Sequence, residues 1–177
     1  MKNIVVLSGS IRIDRKSHWI ACLIFEQLSK NKSIKVTLLD LKEYPFPLLE
    51  DVPDYNSSLP KGLLEFSDHL SGADGIVIVS PEYKNGIPGA LKNALDYLKP
   101  QLLKRIPLGI ATVSSGGFGG VNCLSQLRLV GLALGGMPIP EKLCVSYVNQ
   151  AITELGINDA VTNETALFVK AFLEYLL

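Results

Sequence analysis

Five short apolar runs punctuate the chain: Ile4–Leu7, Val36–Leu39, Ile76–Val79, Leu108–Val113 and Leu143–Val148. They are continuous rather than alternating, which predicts parallel strands covered by helices on both faces. Between them, apolar residues recur at the spacing of a helix buried along one stripe. The first stripe runs from about Ser17 to Lys30 through Ile20, Leu23, Ile24 and Leu28. The second covers about Lys61 to Ser71 through Leu63, Leu64, Ser67 and Leu70, and the third about Pro88 to Lys99 through Leu91, Ala94, Leu95 and Leu98. A fourth spans about Val121 to Leu134 through Leu124, Leu127, Val130 and Leu134. The last covers about Asn163 to Leu177, using Leu167, Phe168, Ala171, Phe172 and Tyr175.

Strand and helix alternate five times without interruption, which predicts an α/β three-layer sandwich in one domain over residues 1–177. A five-stranded parallel sheet at this length fits the flavodoxin-like order 2-1-3-4-5 better than the six-stranded dinucleotide order. The one long irregular segment, Lys42–Pro60, carries four prolines. It reads either as a surface crossover or as a rim over a neighbouring site.

Charge narrows the partners. Lysine plus arginine number 17 and aspartate plus glutamate 17, a net charge of zero, so no basic face for nucleic acid is expected. The 47% apolar content predicts a compact globule. Cys22, Cys123 and Cys144 share no metal-like spacing and read as small buried hydrophobes, with no metal site. Lys2 leads straight into a strand without a signal-peptide hydrophobic region, and no apolar run approaches the roughly 20 residues that span a bilayer. With an odd number of free cysteines, these features predict a cytoplasmic protein and no membrane partner.

Right-handed crossovers place the loops after strands one, three and four on one edge of the sheet, and each carries distinctive chemistry. The first, Ser8-Gly9-Ser10-Ile11-Arg12-Ile13-Asp14-Arg15-Lys16-Ser17, combines hydroxyls, a glycine and basic residues at a helix N-terminus. That is an anion site, with Arg12 available as a bidentate clamp and Ser17 as the N-cap. It is no Walker A loop, because Arg15 stands where a glycine must precede the Lys-Ser pair, and no dinucleotide fingerprint, because only Gly9 is present. The second loop, Ser80-Pro81-Glu82-Tyr83-Lys84-Asn85-Gly86-Ile87-Pro88-Gly89, is stiffened by proline and offers an aromatic edge. The third, Ser114-Ser115-Gly116-Gly117-Phe118-Gly119-Gly120, lets backbone approach something flat. One phosphate socket beside two such clamps points to flavin mononucleotide (FMN) rather than to a dinucleotide.

Gly-Ser-Ile-Arg with a following serine, Ser-Pro-Glu-Tyr ahead of Ile-Pro-Gly-Ala-Leu-Lys-Asn-Ala, and Ser-Gly-Gly-Phe-Gly-Gly together resemble the NADPH-dependent FMN reductase family. The resemblance runs from Ile4 to about Val148. It implies a flavodoxin-like fold, non-covalent FMN, a homodimer or homotetramer, and two-electron transfer from NADPH or NADH. The implied acceptors are small molecules: quinone-like compounds, azo dyes, metal oxyanions or free flavin. By the same resemblance Ser10, Arg12 and Ser17 would hold the FMN phosphate. Pro81, Glu82, Tyr83 and Lys84 would line the ring, with Ser115, Gly116 and Gly117 at its other edge. The family usually has asparagine where Lys84 stands and serine where Gly86 stands.

In this reading FMN carries the redox chemistry and no side chain is catalytic. His18 and His69 read as ordinary helix residues. The rival is a non-catalytic flavodoxin-like flavoprotein, either an electron carrier or a regulator. Carriers of that kind rely on strong acidity to dock basic partners, and this chain is neutral. A phospho-receiver domain needs aspartates at the ends of strands one and three, where Ser8-Gly9 and Ser80-Pro81 stand.

Overall fold

The computed structural model describes residues 1–51, 53–55 and 59–176. Its main sheet contains β1 (Lys2–Ser8), β2 (Ile34–Asp40), β3 (Gly75–Pro81), β4 (Pro107–Val113) and β5 (Met137–Val145), all parallel, in the order β2-β1-β3-β4-β5. Helices α1 (Lys16–Ser29), α2 (Leu63–Ser71), α3 (Gly89–Asp96) and α4 (Val121–Ala133) connect successive strands. Beyond β5 come a single turn α5 (Val148–Ala151), a small hairpin of β6 (Ile152–Thr153) and β7 (Gly156–Ile157), and α6 (Asp159–Glu174). The expected final helix thus starts earlier than Asn163, and Leu177 lies outside the described residues.

Strand residues point alternately to opposite faces, which explains the unbroken apolar runs. Ile4, Val6, Val77, Val79, Ala111 and Val113 pack against α1 and α6, whereas Val5, Leu7, Ile76, Ile78, Leu108 and Ile110 pack against α2, α3 and α4. Two strand glycines make room for α6. A side chain at Gly75 would meet the Phe172 ring at 2.9 Å, and one at Gly109 would meet Phe168 and Phe172 at 3.0 Å.

The edge strand β5 departs from expectation. It begins at Met137 and ends at Val145, so residues 146–148 leave the sheet rather than extend it. Its first half, Met-Pro-Ile-Pro-Glu-Lys, is mostly exposed and shows no apolar run. Prolines are compatible with an edge, where one row of backbone donors has no ladder partner.

The long segment 42–60 forms a strap across the outer side of α3, although residues 52 and 56–58 lie outside the described residues. Asn93 fixes it by donating to the Pro47 carbonyl (2.7 Å) and accepting from Leu49 N (2.9 Å), and the Tyr97 hydroxyl also donates to Pro47 O (3.2 Å). Tyr44 and Phe46 of the strap cluster with Phe66 of α2 and with Tyr97 at ring separations of 5.3–6.0 Å.

At the carboxyl edge of the sheet, Ser8 pairs in register with Asp40 on one side and Val79 on the other. His18 of α1 sits against this junction, its Nδ1 3.0 Å from Ser8 Oγ and 3.7 Å from Asp40 Oδ2. Burial lowers the His18 pKa below its ordinary 6.5, outweighing the opposite pull of Asp40.

Two stability predictions follow from this packing. Phe172 is fully buried, so Phe172→Ala should cost about 3–5 kcal/mol in urea unfolding; a loss below 1 kcal/mol would show that the helix does not anchor on the two glycines. The unfolded chain takes up a proton below the ordinary 6.5 of histidine before folded His18 does, so this group's contribution is present above that pH and lost beneath it. Melting temperature should therefore fall as the pH drops below about 6.5, and His18→Asn should flatten that slope. An unchanged slope would assign the acid sensitivity to other groups.

Candidate active site

The loop after β1 leaves the sheet tightly. Gly9 N donates to Val79 O (2.8 Å), and a Cβ at Gly9 would lie 2.7 Å from Leu91 and 3.1 Å from that same carbonyl. A side chain at Gly9 would crowd β3 and α3. Ser10 is buried; its hydroxyl accepts from Arg12 N (3.3 Å) and shares a 3.0 Å hydrogen bond with the Tyr83 hydroxyl. Ser10 therefore joins the first loop to the second. Arg12 is exposed and forms no ion pair with a described residue.

The helix start differs from the sequence reading. Arg15, not Ser17, occupies the N-cap position, and no side chain caps the helix there. Ser17 lies inside the first turn, buried, with an Oγ that has no hydrogen-bond partner. Arg15 is turned back onto Asp40 at the end of β2, its Nη2 donating to Oδ2. Lys16 reaches the far side of the site, its Nζ donating to the carbonyls of Ile152 (2.6 Å) and Asn149 (3.4 Å).

The loop after β3 contains a tight hairpin. Tyr83 and Gly86 exchange backbone hydrogen bonds of 3.0 Å each across Lys84 and Asn85, whose φ angles are +51° and +61°. Two successive left-handed residues make a type I′ turn. Asn85 suits that conformation well, whereas Lys84 adopts it at some cost. Gln126 of α4 clamps the turn, donating to Asn85 O (2.9 Å) and accepting from Ile87 N (3.3 Å). The Glu82 carboxylate accepts from Cys123 N (2.9 Å) in the first turn of α4, where a negative charge complements the helix end. Burial pushes the neighbouring Cys123 thiol up to about 11.

The loop after β4 owes its glycines to two different causes. Gly119 and Gly120 have φ angles of +61° and +85°, and a Cβ at Gly119 would lie 2.7 Å from the Cys144 backbone. These two serve the path of the chain. A Cβ at Gly116 meets nothing within 4 Å, and one at Gly117 would lie 2.7 Å from the Tyr147 hydroxyl. The loop is laced to residues 145–148: Ser114 N donates to Val145 O, Tyr147 N to Gly116 O and Val148 N to Ser114 O, each at 3.0 Å.

Between the three loops lies a cavity of about 340 Å³. Arg12, Ser17, Pro81, Glu82, Tyr83 and Ser115 come together in its wall. Ser10, Lys84, Gly116 and Gly117 do not line it: Ser10 backs Tyr83, Lys84 is exposed at the hairpin tip, and the glycines lie on its outer side near Tyr147. Arg15, Val148 and Asn149 also line the wall, beside Asp14, Lys16, Val113 and Ser114, and were not singled out as site residues from sequence. Arg15 was visible in the basic cluster, while the other two reach the cavity through the unforeseen turn α5. None of the described residues of the strap 42–60 lines this wall.

The donor set suits a phosphate. Ser17 Oγ and Arg15 Nη1 are buried without acceptors, both belong to residues of the cavity wall, and they flank the N-terminus of α1. Among the described residues no group of three His, Cys, Asp or Glu could hold a metal, and no helix is long and apolar enough to cross a membrane.

Comparison with known proteins agrees with this chemistry. The family model for NADPH-dependent FMN reductase matches residues 2–150. An NADPH azoreductase of Bacillus sp. (strain OY1-2) is 30% identical over 157 residues, covering 86% of this chain and 82% of the relative. The NAD(P)H-dependent FMN reductase of Schizosaccharomyces pombe is 30% identical over 181 residues, covering 97% and 88%. Among solved structures, the flavoenzyme FerB of Paracoccus denitrificans superposes with a TM-score of 0.81 at 23% identity, covering 99% of this chain and 97% of its own, a likeness of fold. A match that takes in all three loops and the whole cavity wall places the chain in the NADPH-dependent FMN reductase family, as an FMN-dependent oxidoreductase that draws electrons from NAD(P)H.

Proposed function

We propose that this oxidoreductase delivers electrons to small acceptors of the quinone-like, azo, metal-oxyanion or free-flavin classes. The observation that carries this reading is the cavity itself: unpaired cationic and hydroxyl donors at one end, stiff backbone loops at the other. The names of the relatives support the acceptor range, since they include an NADPH azoreductase from Bacillus and a quinone reductase from Escherichia coli.

When bound, FMN would supply the two-electron transfer between the nicotinamide and the acceptor. Arg12 and Ser17 would hold its phosphate, and Ser10 would hold Tyr83 against its ring from behind. Pro81, Glu82 and Tyr83 present the ring-facing segment, which α4 rigidifies through the Glu82 and Gln126 contacts. Ser115 and Gly116 border the opposite edge, while Gly117 leaves space for Tyr147. Lys84 stands at the rim, where its ammonium meets the phosphates of the incoming dinucleotide. The site needs no thiol, and Cys123 with its raised pKa stays protonated at neutral pH.

The working unit is a homodimer or a tetramer built from it, in the cytoplasm. Leu129 and Leu132, in the C-terminal half of α4, are 69% and 58% exposed. Ala90, also expected on this face, is half-buried. An exposed leucine pair on a helix next to the site is a self-complementary patch for two-fold packing.

The purified protein should be yellow, and its visible absorbance should bleach when NADPH is added without oxygen. A colourless protein that binds no FMN would end this reading. Arg12→Ala should weaken FMN binding tenfold to over a hundredfold, the loss of a charge-assisted contact of about 1.5–3 kcal/mol; unchanged affinity would remove Arg12 from the phosphate site. Light scattering at micromolar concentration should give at least twice the chain mass of 19.2 kDa. A clean monomer would refute the interface.

A further inference from the structure

The planar fork of Arg15 has one edge in use and one empty. Nη2 donates to Asp40, whereas Nη1 is buried and has no hydrogen-bond partner. The two side chains are only 10% and 18% exposed. Burying a guanidinium donor without an acceptor is unfavourable. Ser17, two residues on and in the same cavity wall, has an orphaned hydroxyl as well. Two unsatisfied donors at one helix N-terminus require an acceptor with several oxygens, and the cofactor phosphate is one.

Asp40 is itself held in place. It is the last residue of β2, paired in register with Ser8. Its Oδ1 accepts from Lys42 N (3.1 Å), and its Oδ2 faces His18 Nδ1 at 3.7 Å, with Ser8 Oγ 3.0 Å beyond on the same nitrogen. The carboxylate is therefore fixed to the sheet edge, and it fixes Arg15 in turn. A fork can bridge a carboxylate and a phosphate at once, which an ammonium point charge cannot do with the same geometry.

We propose that Asp40 is a positioning residue of the phosphate site: without touching the phosphate, it holds the Arg15 fork so that Nη1 donates to it. The inference rests on the FMN reading above. It makes a prediction opposite in sign to simple charge. A carboxylate near a bound phosphate repels it, so on charge alone Asp40→Asn would tighten FMN binding. If Asp40 acts through Arg15, the same substitution loosens it.

The test compares FMN with riboflavin, which has the same ring and no phosphate, by fluorescence titration of the flavin-free full chain. Asp40→Asn should weaken FMN binding about fivefold or more and leave riboflavin within about twofold. Arg15→Lys, which keeps the charge and loses the fork, should weaken FMN selectively by about tenfold. Tighter or unchanged FMN binding in Asp40→Asn, or equal loss of both flavins, overturns the proposal. Should Asp40→Asn fail to fold, Arg15→Lys decides, and wild-type FMN affinity there overturns it. A wild-type protein that binds neither flavin overturns this inference together with the functional reading. A wild type that prefers FMN, with the preference intact in both variants, overturns this inference alone.

Discussion

The parallel pairing of β1 with β2 on one side and β3 on the other is the constraint from which the site follows. The chain leaves β1 for α1 on one face of the sheet and leaves β3 for α3 on the other. The two loops must therefore diverge, and the gap between them is a crevice that no side chain has to create. Ligands bind at such reversals in open α/β sheets for this reason. Here the crevice is bridged at one point behind its wall, by the Ser10–Tyr83 hydroxyl pair. That bond joins the loop after β1 to the loop after β3.

Much of the fold could be read from sequence because burial on both faces leaves an unmistakable signal. Ile76–Val79 has no exposed residue and reads as an apolar block. The edge strand β5 lacks that signal, since only one of its sides needs to be apolar, and its prolines and charges hide its first half. The site was legible at the level of loops and only partly at the level of atoms. Ser17 looks like an N-cap from its place after a basic cluster, yet the helix begins one residue earlier and leaves the hydroxyl free for a ligand. The partner of Arg15 lies 25 residues away on another strand, a distance across which spacing carries no information.

Glycine and charge were the harder signals, because one residue type answers to several causes. Of the four glycines after β4, Gly119 and Gly120 satisfy left-handed backbone, and Gly117 leaves space for Tyr147. Gly116 alone among them faces open space. Glu82 belongs to the motif that drew attention to the site, but its carboxylate is spent on the end of α4. Its contribution to the cavity is thus through the backbone it immobilises, a positional effect that a sequence motif cannot distinguish from a direct contact.

Of the six non-glycine residues with left-handed backbone among the described residues, four belong to the loops around the cavity and two, Gln101 and Arg105, do not. Asp14, Lys84, Asn85 and Tyr147 all have φ between +46° and +61°, and each lies in one of the three loops or in the segment laced to the third. Such conformations persist only where surrounding contacts over-determine them. Gln126 does so for the hairpin, and the bond that Tyr147 N donates to Gly116 O does so for Tyr147. A site held in this manner is organised before anything binds, so its affinity for a flat, phosphorylated ligand need not be diminished by ordering the loops.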